Sequence, residues 1–294
     1  MVESNLQKRV LAVVSYFVLG LFALLCLLPF VMVISASLTD ESALIKYGYG
    51  IIPKVFTLEA YRQIGMHPQT LINAYKVTII VTVVGSFFRI MLESMAAYSL
   101  SRRNYVLSKA VNIYFFITMI FHAGMVPSYI LLTRYFHFMD NPIALILPGM
   151  FGVYNTFILR TYFKQTSESI IEAAKIDGSS EFGICFRIAL PICKTGVATM
   201  LLMTVMNYWN SWYECLMYIN DDRYLTLQFY LTRTMSNIDQ ILKNQGTVSE
   251  SLARIPTETT RMAMCALAAG PMVIVFMFFQ KYFIKGINVG SVKG

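Results

Sequence analysis

Charge is what this sequence has least of. Only 14% of its 294 residues are charged, against 56% that are apolar. A soluble domain carries about 25% charged residues, so a water-facing surface of this size would go uncovered, and a soluble globular enzyme is argued against. The run 10–39 contains no charged residue at all. It exceeds the ~20 residues that cross a bilayer and is too long for the ~7–15-residue core of a signal peptide. Cysteine is scarce too. Cys26, Cys185, Cys193, Cys215 and Cys265 form no CxxC pair and no metal-ligand spacing, so they read as apolar packing residues. His122, one of three histidines, sits between Met119 and Met125 and reads as a packed side chain rather than a metal ligand. No GxxxxGK[ST] loop is present, so the chain is expected not to cradle the phosphates of ATP. No Ser/His/Asp, Cys/His or paired-carboxylate arrangement suits catalysis, and no cofactor or metal of its own is expected. Aromatic residues are plentiful: 21 Phe and 18 Tyr exclude a disordered chain.

Apolar segments recur six times, at 10–39, 77–100, 110–133, 142–159, 195–213 and 262–279. They predict an all-α integral membrane protein with six transmembrane helices. The second carries Arg89 and Glu93, and the fourth is bent by Pro148, Gly149 and Gly152. Lys and Arg concentrate on the cytoplasmic side of membrane proteins. With both termini cytoplasmic, the inner segments hold 13 basic residues against five acidic ones, a net of +8. The whole excess lies on one side, which makes it a topology signal and argues against nucleic acid as a partner. This divides the chain into a first helix with its outer loop (1–71), a five-helix core (72–284) and a cytoplasmic tail (285–294). Gly286, Gly290 and Gly294 have dimerisation-motif spacing but lie beyond the last span. The outer connections 37–72 and 214–261 are long, and the polar stretch 237–258 suits docking of an extracytoplasmic partner.

The inner segment 160–194 is too long for a turn. Glu168, Glu172, Ala173 and Ala174 favour a helix, Asp177-Gly178 a left-handed exit, and Ser179 a cap for a second helix. Phe182, Phe186 and Ile188 fall roughly on one face of that helix, and Pro191 is placed to start the fifth span, where its missing N–H costs little. On these letters alone the segment is an amphipathic hairpin on the membrane surface.

Glu172-Ala173-Ala174, then Gly178 after three residues, then Ile188-Ala189-Leu190-Pro191 after nine more, resembles the signature of permease subunits of binding-protein-dependent ABC importers. Length, span count, the Trp209-Asn210 pair and the ending from Gln280 to Gly286 are similar to the six-span permease of maltose-type carbohydrate systems. Within that group the chain looks closest to permeases for oligosaccharides, including uronate-containing ones such as alginate or aldouronates. The resemblance implies a type I importer fold in a bacterial cytoplasmic (inner) membrane, with a coupling-helix pair at 164–191. It implies ATPase-coupling roles for Glu172, Ala173, Ala174, Asp177, Gly178, Phe182, Phe186 and Pro191. Glu172 would face a basic residue of the ATPase, the alanines would allow close approach, and the phenylalanines would act as knobs. The Lys293-Gly294 end would approach the same subunit. Implied partners are a second permease in a heterodimer, two ATP-binding subunits holding Mg-ATP, an extracytoplasmic binding protein, the oligosaccharide and the bilayer.

Candidate residues for the substrate pathway come from polar groups inside the spans. Arg89 lies about 20 Å along the helix from Arg102, near mid-membrane, where a lone charge is costly. Glu93 is one turn away and can neutralise it, so the pair lines the pathway or ties helices together. Asn207, Trp209, Asn210, Trp212 and Glu214 combine aromatic faces with amide and carboxylate groups, which suits sugar; an interfacial aromatic belt is the other reading. On one continuous helix Trp209 and Trp212 would be about 60° apart and share a face. Tyr154 and Asn155 form a similar, smaller pair. A stand-alone secondary transporter is the competing class, and related halves are its signature. Residues 1–140 and 141–294 show no such match.

Overall fold

The computed structural model describes residues 5–66, 68–243 and 257–290. Regular structure among them is helical, apart from one isolated bridge between Thr39 and Phe56. The chain divides into two compact units, Met1–Pro68 with Thr234–Gly270, and Gln69–Arg233 with Pro271–Gly294.

In the first unit, the helix Asn5–Ser37 is apolar on every side, and side chains 9–31 are all exposed. A helix apolar all round belongs in hydrocarbon or against another chain. Burial starts at Ser35, Ala36 and Ser37, where the Ser37 hydroxyl lies 2.8 Å from that of Tyr61. Asp40 then caps the short helix Glu41–Tyr47. Glu41 reaches across more than 200 residues of sequence to the start of the helix Glu258–Gly290. Its carboxylate accepts from the Glu258 and Thr259 amides at 3.0 and 2.9 Å, and from both threonine hydroxyls, Thr257 at 3.2 Å and Thr259 at 2.7 Å. Free N–H groups and the positive end of the helix dipole make that terminus an anion site.

The second unit is built along the 34-residue helix Pro68–Ser101. Its buried positions are mostly small or hydroxylated, among them Ala74, Thr78, Gly85, Ser86, Ser94, Ala97 and Ser101, with Val81, Glu93, Tyr98 and Leu100 the larger ones; the small ones let neighbouring backbones come close. Ile79, Ile80, Val83 and Phe87 stand exposed on the rest of its surface. Two clusters form along it, about 24 Å apart at ~1.5 Å per residue. One gathers Val81, Leu145, Tyr208, Cys215 and Ile219; the other gathers Ala97, Tyr98, Leu159, Phe163, Ile171 and Ile184.

Three helices are each long and apolar enough to cross a membrane: Arg9–Ser37, Pro68–Ser101 and Glu258–Tyr282. Three bent pairs also qualify, and counting each as one span gives six. The bend between Ile143–Gly149 and Val153–Phe163, 53°, falls where Pro148, Gly149 and Gly152 place it. The continuous third span expected at 110–133 is instead broken into Ser108–Ile120 and Met125–Tyr135, which meet at 106°. Phe121 is extended and Gly124 has φ 90, so the break is made at the one glycine of the segment.

A second correction concerns Pro191. The stretch Glu181–Ile192 meets Lys194–Trp209 at 90°, so the fifth span starts at Lys194 and Pro191 belongs to the preceding hairpin. Pro191 sits in the turn Leu190–Ile192, directly after the wide π-helical turn Ile184–Ala189. A π turn already displaces the backbone hydrogen-bond register, so a residue without an N–H is accommodated there.

Candidate functional site

The hairpin begins with the helix Glu168–Ile176. Its end is closed by Ser179 N donating to Ala174 O at 2.9 Å and Gly178 N to Lys175 O at 3.0 Å, with Gly178 at φ 78. This pair of bonds around a left-handed glycine is the Schellman stop. Because Ser179 is committed to closing the first helix, the expected cap there falls one residue later. The Ser180 hydroxyl accepts from Gly183 N at 3.2 Å and opens the second arm.

Each arm turns one face inward. Ile171, Ala174, Ile184, Cys185 and Ala189 pack on Ala97, Tyr98, Leu159 and Phe163. Full burial of a side chain the size of Ile184 contributes ~2 kcal/mol. Burial also pushes the Cys185 thiol up to about 11, so it stays protonated and inert. The two signature alanines separate: Ala174 is inside this core, while Ala173 is exposed beside Glu172. Ile176 is 86% exposed and Phe182 54%. Phe186, half-buried, holds the Phe182 ring at 4.8 Å between centroids. Glu172, Ala173, Ile176 and Phe182 thus share an outward surface with an acid among apolar groups, and Asp177 is exposed at the tip.

Glu181 fixes the arms to each other and to the body. It pairs with Lys175 of the first arm at 2.5 Å and accepts from the Tyr98 hydroxyl at 2.9 Å. The Lys175 contact, opposed by burial and helped by Tyr98, holds its carboxyl below the usual carboxylate range. Two arginines brace the helix ends beneath. Arg160 Nε donates to Leu100 O at 3.0 Å, at the end of Pro68–Ser101, and Arg102 Nη2 donates to Phe163 O at 2.8 Å, at the end of Val153–Phe163. Each satisfies a terminal carbonyl of the other's helix and meets its negative dipole end.

Arg89 and Glu93 form a 2.8 Å ion pair, 12% and 0% exposed. The carboxylate also accepts from Gly152 N at 2.9 Å, the cap of Val153–Phe163, and buried Asn155 lies beside it. The pair is therefore committed to the bend in the fourth span. Tyr154, next in sequence to the cap region, points elsewhere and is 65% exposed.

The single helical face expected for Trp209 and Trp212 does not exist. The helix Lys194–Trp209 ends between them. The Ser211 hydroxyl turns back to Tyr208 O at 2.8 Å, while Ser211 O accepts from the Thr226 hydroxyl at 2.9 Å. The first bond is local and competes with helix continuation; the second hands the Ser211 carbonyl to a residue 15 positions on. Trp209 is buried at 5% exposure; Trp212 is 45% exposed and meets Tyr213 edge-on. Asn207 and Asn210 are exposed and Glu214 half-buried, with Asn210 accepting from Gln228 at 3.2 Å.

Sequence reasoning missed Tyr208. Its hydroxyl donates to Ile146 O at 2.9 Å, and its ring fills the space left by two glycines. A Cβ on Gly85 would lie 2.7 Å from that ring, and one on Gly149 3.0 Å from its hydroxyl. Nothing local to Tyr208 announces this, since both glycines come from distant segments. The braces at Arg102 and Arg160 were legible in principle, as cations in or just past the last turn of a helix. The docking stretch 237–258 lies partly, and the Lys293-Gly294 end wholly, outside the described residues.

Residues 94–289 match the family described as binding-protein-dependent transport system inner membrane component. The polygalacturonan/rhamnogalacturonan transport system permease protein YtcP of Bacillus subtilis (strain 168) is 34% identical over 98% of this chain and 100% of its own length. The arabinooligosaccharides transport system permease protein AraQ of the same organism is 28% identical over 93% of each chain. Among solved structures, a bacterial ABC transporter involved in the import of the acidic polysaccharide alginate superposes with a TM-score of 0.77. It is 27% identical and covers 96% of this chain and 99% of its own.

Proposed function

We infer the function from one premise: the chain belongs to the family of binding-protein-dependent transport system inner membrane components. It is the permease of an ABC sugar importer. Its cargo is an oligosaccharide carrying uronate groups, handed over by an extracytoplasmic binding protein. It pairs with a second permease, and two ATP-binding subunits hold and hydrolyse Mg-ATP. The inner-membrane orientation has both termini cytoplasmic and the hairpin 164–191 on the ATPase.

The observation that supports coupling most is the two-faced hairpin. One face is locked to the helix ends through Ile184, Glu181 and the paired arginines. The other leaves Glu172, Ala173, Ile176 and Phe182 exposed. A displacement applied to that outer face is carried to the spans by packed side chains. Support for a uronate cargo comes from two likenesses, to a polygalacturonan permease and to an alginate importer, each across nearly the whole chain.

The test is stimulation of ATP hydrolysis in the reconstituted importer with its binding protein. Oligogalacturonates and alginate oligomers should stimulate, and neutral oligosaccharides of equal length should not. Stimulation by the neutral set alone refutes the cargo assignment. Uptake that proceeds without ATP refutes the importer assignment.

A further inference from the structure

A groove of about 420 Å³ runs between Ser108–Ile120 and Val153–Phe163. Ile113, Phe116 and Phe157 form its apolar wall, and Asn112, Arg160 and Lys164 stand at one end. Lys164 also lines a polar hollow of about 460 Å³ that includes Arg102, Arg103 and Glu168. The two spaces share Lys164 as a wall, so an apolar slot lies beside a cationic mouth.

The cations of that mouth are unevenly engaged. Arg103 is paired with Glu168 at 3.2 Å. Arg160 is aimed by two bonds, to Leu100 O and to Asn112 Oδ1 at 2.8 Å, which leave its remaining terminal nitrogen unbonded among the described residues. Lys164 is exposed, and its side chain has no hydrogen bond or ion pair among the described residues. The wall residues Ile113 and Phe116 are 51% and 53% exposed, so the slot is open along its length.

We propose that this groove is a binding site for an anionic phospholipid, with an acyl chain against Ile113, Phe116 and Phe157 and the phosphate at Lys164 and Arg160. The inference rests on the inner-membrane orientation proposed above, which puts this end of the spans at the cytoplasmic headgroup layer. Basic pockets between spans on that side are matched in charge to anionic headgroups. A free phosphate uses the mouth but not the slot, and a protein helix has no need of the cations. The site also abuts Glu168 at the root of the hairpin, so its occupancy bears on the element that is held there.

Native mass spectrometry of the assembled importer, extracted from vesicles of phosphatidylcholine with phosphatidylglycerol, reads out the bound lipid. The wild type should retain phosphatidylglycerol in preference to phosphatidylcholine. Lys164→Gln should reduce that retention about fivefold, one basic residue's share of attraction to an anionic surface. Thr161→Trp, which fills the slot and leaves the charges alone, should also reduce it. Equal retention of both lipids by the wild type, or no change in either variant, overturns the proposal. Displacement by inorganic phosphate assigns the mouth to a free anion and overturns it too. A photoreactive side chain at position 161 should cross-link lipid; a cross-link to the second permease shows that protein covers the groove and refutes the lipid. Labelling of Ser167→Cys from each side of the membrane tests the orientation separately, so a wrong orientation is told apart from a wrong ligand.

Discussion

Gly152→Ala tests how the buried ion pair is held. A Cβ at this position would lie 2.4 Å from Arg89 Nη2 and 2.8 Å from Glu93 Oε1, closer than real Cβ contacts allow. Something must shift. Glu93 is 0% exposed and anchored by Arg89 and by Gly152 N, whereas Arg89 is 12% exposed, so the guanidinium yields and the 2.8 Å pair is broken. Removing one partner from a buried pair costs about 3–5 kcal/mol. Because the guanidinium keeps some access to its surroundings, about 3 kcal/mol is expected, or roughly 6–12 °C in melting temperature at ~2–4 °C per kcal/mol. Thermal unfolding of the detergent-solubilised complex, followed by the loss of native helix signal, measures it. Replacing the pair by Arg89→Met with Glu93→Gln removes the charges that the added methyl group disturbs. In that background Gly152→Ala should cost less by about 2 kcal/mol, a coupling typical of residues in contact. A Gly152→Ala protein as stable as the wild type, or a cost unchanged in the doubly substituted background, would refute the assignment of the pair to the bend.

Glu172→Lys should leave the importer assembled in the membrane while substrate-stimulated hydrolysis and uptake fall together; normal uptake removes the coupling role of the outer hairpin face. Trp212→Ala should lower uptake while shifting stability by less than ~1 kcal/mol, whereas Trp209→Ala should cost about 3–5 kcal/mol because its indole is buried; equal stability losses in the two would contradict the exposures found. Glu41→Gln should cost about 1–2 kcal/mol by weakening the cap of Glu258–Gly290. Burial raises the Glu41 pKa, but the hydrogen bonds from Thr259, Glu258 and Thr257 outweigh it and hold the carboxyl below its usual range. Its stabilisation is therefore complete above the unfolded value of about 4.3 and is lost as pH falls through the depressed one. The stability difference between Glu41→Gln and wild type should shrink on acidification below about pH 4; a difference constant with pH denies the carboxylate its role.

Much of the hairpin was readable in its letters because its signals are local. Gly178 takes the left-handed conformation that ends a helix, and Glu168 and the alanines stand where a helix needs them. The cap moved from Ser179 to Ser180 because the Schellman bonds occupy Ser179, a consequence of three-dimensional closure that spacing does not encode. The bend at Gly152 was likewise signalled by its glycines and Pro148. The break at 121–124 was not anticipated, since the run 110–133 carries no Asp, Glu, Lys or Arg and is long enough for an unbroken span, even with His122, Gly124 and Pro127 inside it. The candidate pathway fared differently: its helix extrapolation failed at Ser211, whose hydroxyl and carbonyl are both taken by neighbours.

By itself the sequence determined the solvent this chain lives in, the helical class and the residues of the signature turn. These follow from composition, from runs of uncharged residues and from backbone preferences, all of which act over a few positions. Only the tertiary structure decided that Ala173 faces out and Ala174 in, and that Glu93 is bound to the Gly152 bend. Only there do Arg102 and Arg160 cap each other's helices, and does Tyr208 fill the gap left by Gly85 and Gly149. Each of these depends on groups up to 123 residues apart in the chain (Gly85 and Tyr208 at the extreme). A side chain's partner across such a distance is set by how the helices pack, because a buried charge or an unfilled glycine gap is tolerated only when another segment arrives to satisfy it.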